Sequence, residues 1–429
     1  MEKFVKDVVL DHLTENNLLS TKQFGFVSGR STVTQLLNYL DKCAEIISNG
    51  GIVDSIYFDF SKAFDTVPHK RLTAKLKAHG LDGKILAWVE AFLTKRDQVV
   101  KVNGELSMPQ SVTSGIPQGS VLGPLLFVVY INDLPEVVKS NVLLFADDTK
   151  IFREVCSQND ALLLQEDIDS LTQWSDKWLL RFNIDKCNVL TLGRFDNIRY
   201  THRYSLYGEE LEHVFEEKDL GVIVDMELSF EEHISTKIKK ANGIMGLIRR
   251  TFSYLDCDMF KRLYTTFVRP HLEYAQSAWS PHLRKYIKQL DNVQIRATKL
   301  VDGMKHLDYF ERLQKLDLPT LLHRRQRGDM IQVWKHFRSY DTSTLSANFK
   351  HNPRPNRRHG FQIIWNKPTD GTSGLQANSF YFRTAAIWNN LPEKVVNAIN
   401  INTFKSRLDK AWIDHPTKFT IETQHQSDS

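Results

Sequence analysis

A chain of 429 residues, 41% hydrophobic and 25% charged, has the length of two or three domains and enough apolar residues to bury real cores, which excludes a disordered or fibrous protein. Its four cysteines, Cys43, Cys156, Cys187 and Cys257, lie far apart with no CxxC pair or Cys/His cluster of zinc spacing, so a disulfide scaffold is excluded and a reduced compartment fits. The net charge is only +5, yet residues 231–340 hold 21 Lys and Arg against 11 Asp and Glu. Such a polarisation suits contact with a polyanion and equally suits a solvated helical face.

The first residues, Met1-Glu-Lys-Phe-Val-Lys-Asp7, are charged throughout, unlike a signal peptide. The greasiest run, 121–131, is shorter than the ~20 residues a membrane span needs. The expectation is a soluble intracellular protein with no membrane partner. Residues 4–20 read as a helix closing at Asn16-Asn17, followed by the Gly-punctuated loop Gln23-Phe-Gly-Phe-Val-Ser-Gly-Arg-Ser-Thr32 and a second helix with Leu36, Leu37 and Leu40 on its apolar face. A Gly-rich loop at a helix start with Arg30 beside it can hold phosphate; a plain loop-to-helix cap looks the same.

Residues 52–60 form a β-prone run that carries Asp59 near its end. An unpaired carboxylate in such a run is costly, so Asp59 needs a salt bridge, to Lys62 or Arg71, or a metal ion. Helices follow near 70–79 and 83–94. The stretch 98–113 reads as a hairpin turning at Asn103-Gly104. Ser114-Gly-Ile-Pro-Gln-Gly-Ser-Val-Leu-Gly-Pro124 then opens a hydrophobic helix over 125–132, with Gln118 and Gly119 on a surface that a backbone or a base can approach closely. Next, Asn141-Val-Leu-Leu-Phe-Ala-Asp-Asp-Thr-Lys-Ile-Phe152 reads as a hairpin with Asp147 and Asp148 at its tip. Residues 160–178 have the period of an amphipathic helix, 180–192 run from a loop bearing Lys186 into a strand, and 218–225 form a short strand bent at Gly221. From about 231 the period is helical. Residues 341–378 are rich in Ser, Asn, Pro, Arg and Gly and read as a linker, with a small unit near 380–412 and a polar tail after it.

If the strands bearing Asp59 and the Asp147–Asp148 pair are neighbours in one antiparallel sheet, three carboxylates meet at its edge. Charges that close repel, and a divalent cation resolves the conflict. Aspartate oxygens favour Mg²⁺, which keeps positions open for water and phosphates. Two such ions would clamp the attacking and leaving oxygens of an in-line phosphoryl displacement.

In order along the chain, Phe58-Asp-Phe-Ser-Lys-Ala-Phe-Asp65, Gly115-Ile-Pro-Gln-Gly-Ser120, Phe145-Ala-Asp-Asp148, Asn183-Ile-Asp-Lys186 and Leu220-Gly221 resemble the palm motifs of reverse transcriptases, in wording closest to non-LTR (LINE-type, jockey-like) retrotransposon polymerases. The resemblance covers residues 4–228 strongly and extends more loosely to about 415. It implies an α+β right-hand polymerase: an antiparallel-sheet palm with a ferredoxin-like core, partial fingers and a helical thumb. The implied division is 1–51 partial fingers, 52–228 palm with interleaved finger segments, 229–340 a basic thumb-like domain, 341–379 a linker, 380–415 a small C-terminal unit and 416–429 a disordered tail.

The resemblance further implies Asp59, Asp147 and Asp148 as catalytic metal ligands for Mg²⁺, with Mn²⁺ as a substitute. Lys186 would lie near the leaving pyrophosphate, as a general acid, an electrostatic aid or a solvated lysine. Phe64 would block the ribose 2′-hydroxyl or serve as a core aromatic. Phe60, Gln118, Gly119 and Arg30 would join Phe64 in binding substrate, and Leu220-Gly221 would belong to the primer grip. The implied partners are an RNA template, a DNA primer and dNTPs, in the nucleus or cytoplasm. Such polymerases carry further basic finger segments upstream, so the resemblance also implies an N-terminally truncated chain. A catalytically dead remnant that binds nucleic acid is the second reading. A Mg²⁺-dependent nuclease or phosphatase explains the carboxylates but not residues 115–120 or Phe64.

Overall fold

The computed structural model describes residues 1–194, 202–338, 352, 359–364 and 374–420. The chain divides into two compact units, one of Met1–Gln35 with Gly50–Glu217 and one of Leu36–Asn49 with Lys218 onward.

The first unit is built on a five-stranded sheet in the order Glu212–Val214, Asn188–Leu192, Val53–Phe58, Asp148–Glu154, Asn141–Phe145. The last four are antiparallel neighbours, and only Glu212–Val214 runs parallel to its partner. Helices Gly123–Ile131 and Gln158–Trp178 supply the two crossovers, which gives the βαββαβ order expected of a ferredoxin-like core. Val53-Asp-Ser-Ile-Tyr-Phe58 forms the central strand because β-branched and aromatic residues fill a pleated surface well. Ile56 pairs with Ile151 on one side and Val189 on the other, and Phe58 lies opposite Thr149. Ile56, Phe58, Leu144, Ile151 and Val189 join Leu126 and Val129 of one helix and Leu164 and Ile168 of the other in a single core. The alternate positions Ser55, Phe152 and Leu190 are also fully buried, so these strands read as almost continuous apolar runs.

Local chemistry fixes the remaining elements of this unit. Helix Gln158–Trp178 begins two residues before the apolar period shows itself, because Ser157 and Asp160 form a reciprocal capping box. Asn103 (φ 50°) and Gly104 (φ 95°) take the two left-handed conformations of a tight hairpin turn, between Lys101–Val102 and Glu105–Leu106. Lys75 ties helix His69–Ala78 to both crossover helices: its ammonium donates to the Tyr130 carbonyl, pairs with Asp133 at 2.5 Å and lies 3.7 Å from the Trp178 ring centre. Burial lowers its pKa to about 8, against the pull of Asp133.

The second unit is helical, as the change of period at 231 predicts. Its long members are Glu231–Thr251, Arg284–Thr298 and Leu321–Arg338. A π turn, Tyr264–Val268, joins Cys257–Leu263 to Arg269–Glu273. The structure groups several segments differently from the expected division. Residues 36–49, expected with the fingers, belong to this unit. Helices Phe380–Asn389 and Ile401–Ala411 are not a separate small unit, because they pack on Leu321–Arg338. Arg383 pairs with Asp329 at 3.1 Å, Arg327 forks onto Asp409 at 2.6 and 2.8 Å, and Trp334 stacks on Phe404. Most of the expected linker lies outside the described residues, but 359–364 is firmly held: Trp388 Nε1 donates to the Phe361 carbonyl and Asn389 bonds Ile363 in both directions. The expected tail begins with Thr417 and Lys418 bound to Thr320, and its remainder, 421–429, lies outside the described residues. Among the described residues no helix is long and apolar enough to cross a membrane.

Asp41 lies in this unit, 7% exposed, beside a pocket lined by Leu37, Leu40, Trp279 and Phe380. Its Oδ2 has no hydrogen-bond partner among the described residues. Burial pushes its carboxyl from 3.8 up to about 7, with the Arg383 charge opposing and the Glu45 charge adding to the shift. A folded pKa above the unfolded value means that the folded state holds the proton more tightly. The contribution to stability is full below pH 3.8 and is lost as the pH rises through about 7. Asp41→Asn removes the ionisation, so calorimetry should find its Tm above that of the wild type at about pH 8, with the gap closing toward about pH 5.

Candidate active site

Asp59 follows directly on the central strand, and its backbone stays in register past the strand end. Asn183 N–H donates to the Asp59 carbonyl and Ser61 N–H to the Arg181 carbonyl, both at 2.8 Å, with a single bridge between Phe60 and Phe182. The carboxylate points to a partly open edge, where Lys186 Nζ lies 3.2 Å from Oδ2. Lys186 ends the short 3₁₀ turn Ile184–Lys186. The ammonium is 64% and the carboxylate 35% exposed, so this ion pair adds at most a few tenths of a kcal/mol to about 1 kcal/mol to stability. Its interest is where it holds charge. The Lys62 and Arg71 partners considered from sequence are not the ones used.

Phe60, expected among the substrate-binding residues, turns its ring away from the edge. It is 4% exposed and stacked on Phe182 at 4.5 Å and 19°, so its ring is core. Phe64 stacks on Phe127 at 4.7 Å but is only half-buried, so it keeps an accessible face as well as a packing role.

The hairpin Asn141–Phe145/Asp148–Glu154 is tighter than expected. Phe145 pairs with Asp148, which leaves Ala146-Asp147 as the whole loop. Ala146 takes a left-handed φ of 53°, the kind of conformation a two-residue hairpin turn demands at its first central position. Asp147 is half-buried. Burial raises its carboxyl pKa; its own N–H opposes the shift and the charge of Asp59 reinforces it. Two of the three expected carboxylates therefore sense each other. Asp148 is exposed and already heads the return strand, where neighbouring side chains point to opposite faces. Among the described residues no group of three or more His, Cys, Asp or Glu side chains is gathered to hold an ion, so of the expected triad only Asp59 and Asp147 are linked, by the charge of one acting on the other. The pair still suits a hard divalent cation: two oxygen donors at an accessible edge, with mutual repulsion that a cation relieves.

The loop 114–120 is fastened to the segment after Asp59. Ile116 N–H donates to the Phe64 carbonyl (2.7 Å), Gly115 N–H to that of Val67 (2.8 Å) and Ser114 Oγ to that of Asp65 (2.9 Å). His69 Nε2 and Arg96 hold the Gly115 carbonyl. Gln118 is exposed and donates to Asp65 Oδ1 at 3.2 Å; Gly119 (φ 80°) beside it has open space around it. Asp65, which the sequence reading passed over, thus anchors this surface.

Arg30 has a different task from the one expected. Its Nη1 donates to the carbonyls of Ser20 and Thr21, at 3.0 Å each, and of Gln23. In the structure it binds main-chain carbonyls of its own loop. The sequence reading also missed Gln23, which is fully buried with its Oε1 accepting from Ala146 N–H at 3.0 Å. Gly25 in the same motif was the available signal. In the second unit, Leu220 and Gly221 form the turn of the ribbon Glu216–Asp219/Val222–Asp225 rather than a bend in one strand. Tyr274 OH donates to the Leu220 carbonyl (2.8 Å) and Lys237 Nζ to that of Gly221 (3.1 Å).

A family model described as reverse transcriptase (RNA-dependent DNA polymerase) matches residues 1–237. The chain is 28% identical over 320 residues to the RNA-directed DNA polymerase from mobile element jockey of Drosophila funebris, covering 71% of this chain and 34% of that protein. It is 27% identical over 314 residues to the probable RNA-directed DNA polymerase from transposon BS of Drosophila melanogaster, covering 70% and 34%. The chain therefore spans about a third of the length of the curated relatives it matches. Among solved structures, telomerase from Candida albicans in complex with a fragment of telomeric RNA aligns with a TM-score of 0.41 and 11% identity, over 73% of this chain and 57% of that one.

Gly115 offers a direct test of how the 114–120 loop is held. It has a φ of 91°, and a Cβ on it would lie 2.7 Å from the Asp65 carbonyl oxygen. Gly115→Ala should destabilise the first unit by about 2 kcal/mol or more, read as a lower urea midpoint.

Proposed function

The chain belongs to the reverse transcriptase (RNA-dependent DNA polymerase) family, and on that premise we propose that it adds deoxynucleotides to a primer 3′-hydroxyl under the direction of an RNA template. The primer oxygen attacks the α-phosphorus of a dNTP, the bond to the β-phosphate oxygen breaks, and pyrophosphate leaves. The observation that carries this reading is the meeting of Asp59 and Asp147 at one accessible sheet edge, close enough for the charge of one to raise the pKa of the other, with Lys186 at 3.2 Å. A protein gains nothing in stability from two carboxylates held so. A divalent cation and a polyphosphate give them a purpose.

In this proposal Asp59 and Asp147 hold Mg²⁺, for which Mn²⁺ can substitute. Bound there, the cation supplies electrostatic stabilisation of the attacking and leaving oxygens. Lys186 keeps a positive charge beside Asp59, where it can offset charge on the departing pyrophosphate or give it a proton. Phe64 presents its accessible ring face to the sugar and discriminates against a 2′-hydroxyl. Gln118 and Gly119, exposed on a loop fastened to Asp65, line the nascent base pair. The Leu220-Gly221 turn, tied to Tyr274 and Lys237, steadies the primer strand. The basic excess of residues 231–340 supports salt-sensitive, largely sequence-independent contact with the template–primer backbone.

With poly(rA)/oligo(dT), dTTP and Mg²⁺, the protein should incorporate nucleotide. Chelation should abolish incorporation and Mn²⁺ restore it, and Asp59→Asn or Asp147→Asn should lower it on the order of 10³-fold or more. A folded wild-type protein that binds template–primer and incorporates nothing would overturn the reading and leave a nucleic-acid-binding remnant. Phe64→Ala should raise the use of rUTP relative to dTTP by about tenfold or more in the same assay.

A further inference from the structure

The motif Gln23-Phe-Gly-Phe-Val-Ser-Gly-Arg30 lies against the hairpin that carries Asp147. Phe24 N–H donates to the Leu144 carbonyl (2.7 Å) and Leu144 N–H to that of Lys22 (2.9 Å), so the segment runs as a short parallel bridge along Asn141–Phe145. Gln23 turns its side chain inward, and its Oε1 receives two main-chain N–H groups, from Gly25 (2.7 Å) and Ala146 (3.0 Å). Gly25 is there because nothing larger fits: a Cβ on it would lie 2.5 Å from Ala146 N and 3.0 Å from the Phe145 carbonyl carbon. Behind the loop, Arg30 gathers the carbonyls of Ser20, Thr21 and Gln23 and lies 5.5 Å from the Phe24 ring centre.

Ala146 is 4% exposed and strained, a left-handed conformation without glycine's freedom costing on the order of 1–2 kcal/mol. Its buried N–H, left unbonded, would add a penalty of about 1–3 kcal/mol. Gln23 Oε1 is the acceptor that meets it, a side-chain contact on the backbone of the Asp147 turn from outside the hairpin. We propose that Gln23 is a positioning residue: its amide oxygen holds the Ala146-Asp147 turn in the conformation that presents Asp147 to Asp59, and Arg30 keeps Gln23 in place. The loop that looked like a phosphate cradle is a brace for the carboxylate pair. The catalytic part of this inference rests on the polymerase reading; the geometric part does not.

Two substitutions of Gln23 separate the hydrogen bond from the packing. Gln23→Met keeps length and burial and removes the acceptor, whereas Gln23→Glu keeps it. Gln23→Met should lower kcat for dTTP incorporation roughly 10- to 100-fold, with the KM for dTTP and the affinity for template–primer within about twofold of wild type. Mn²⁺ binding to the protein alone, followed by electron paramagnetic resonance, should weaken by a similar factor. Gln23→Glu should recover most of both losses, and Arg30→Lys, which loses the guanidinium fork, should show a smaller loss in the same direction. Wild-type kcat and Mn²⁺ affinity in Gln23→Met, or equal losses in Gln23→Met and Gln23→Glu, would overturn the proposal. If Gln23→Met does not fold, Arg30→Lys decides, and wild-type values there would also overturn it. If the wild-type protein itself incorporates nothing, the polymerase reading has failed separately and Mn²⁺ binding alone judges the brace.

Discussion

Antiparallel pairing of Val53–Phe58 with Asp148–Glu154, in one register, is what brings two carboxylates to a common edge. A slip of one residue would turn Ile56 and Phe58 out of the core and carry Asp59 away from the Asp147 turn. The register is locked by apolar contacts on both sides of the central strand, Ile56 with Ile151 and with Val189, and by burial of both faces. The repulsion stored at the edge is small beside that lock. A stable sheet can therefore hold a locally unfavourable arrangement of charge, and local strain at a functional site persists only where its surroundings over-determine it.

The same logic accounts for the loops around the site. Residues 114–120 owe their placement to main-chain bonds with 64–67, and residues 22–25 owe theirs to bonds with 144–146. In both, a glycine marks the closest approach, Gly115 over Asp65 and Gly25 over Ala146. The side chains that would meet a substrate, Gln118 and Phe64, stand on scaffolding that is almost entirely backbone. That arrangement lets exposed residues be held accurately without a buried side chain of their own.

Much of this was legible in the chain. Short β-prone apolar runs located the strands, Asn103-Gly104 the hairpin turn, and the 3.6-residue period the helices, because those signals are local. The sequence put Asp59 and Asp147 at the ends of two apolar runs, and the pairing of those runs, left as a condition there, is what the structure supplies. Asp148 was expected at the hairpin tip; alternation says which face a residue takes but not how short a turn is, and the two-residue loop puts it at the head of the strand. Phe60 looked like a site residue by position, yet only the return of Phe182 along the strand extension shows that it is buried. An arginine in a Gly-rich loop reads alike whether it binds phosphate or carbonyls. Composition reports what a segment cannot bury, not whether a later helix such as Phe380–Asn389 will dock on an earlier one.

The make-up of the second unit bears on how the chain acquires its structure. Most of helix Thr32–Ser48 lies in Leu36–Asn49, which belongs with residues from Lys218 onward, synthesised much later. Leu36, Leu37, Tyr39, Leu40 and Ile47, all buried in the finished protein, must wait in the nascent chain without their eventual neighbours. Contacts of such long sequence separation form slowly, and an exposed apolar helix is a target for aggregation or for chaperones meanwhile. Closure of this unit therefore waits at least until the segment beginning at Lys218 has been translated.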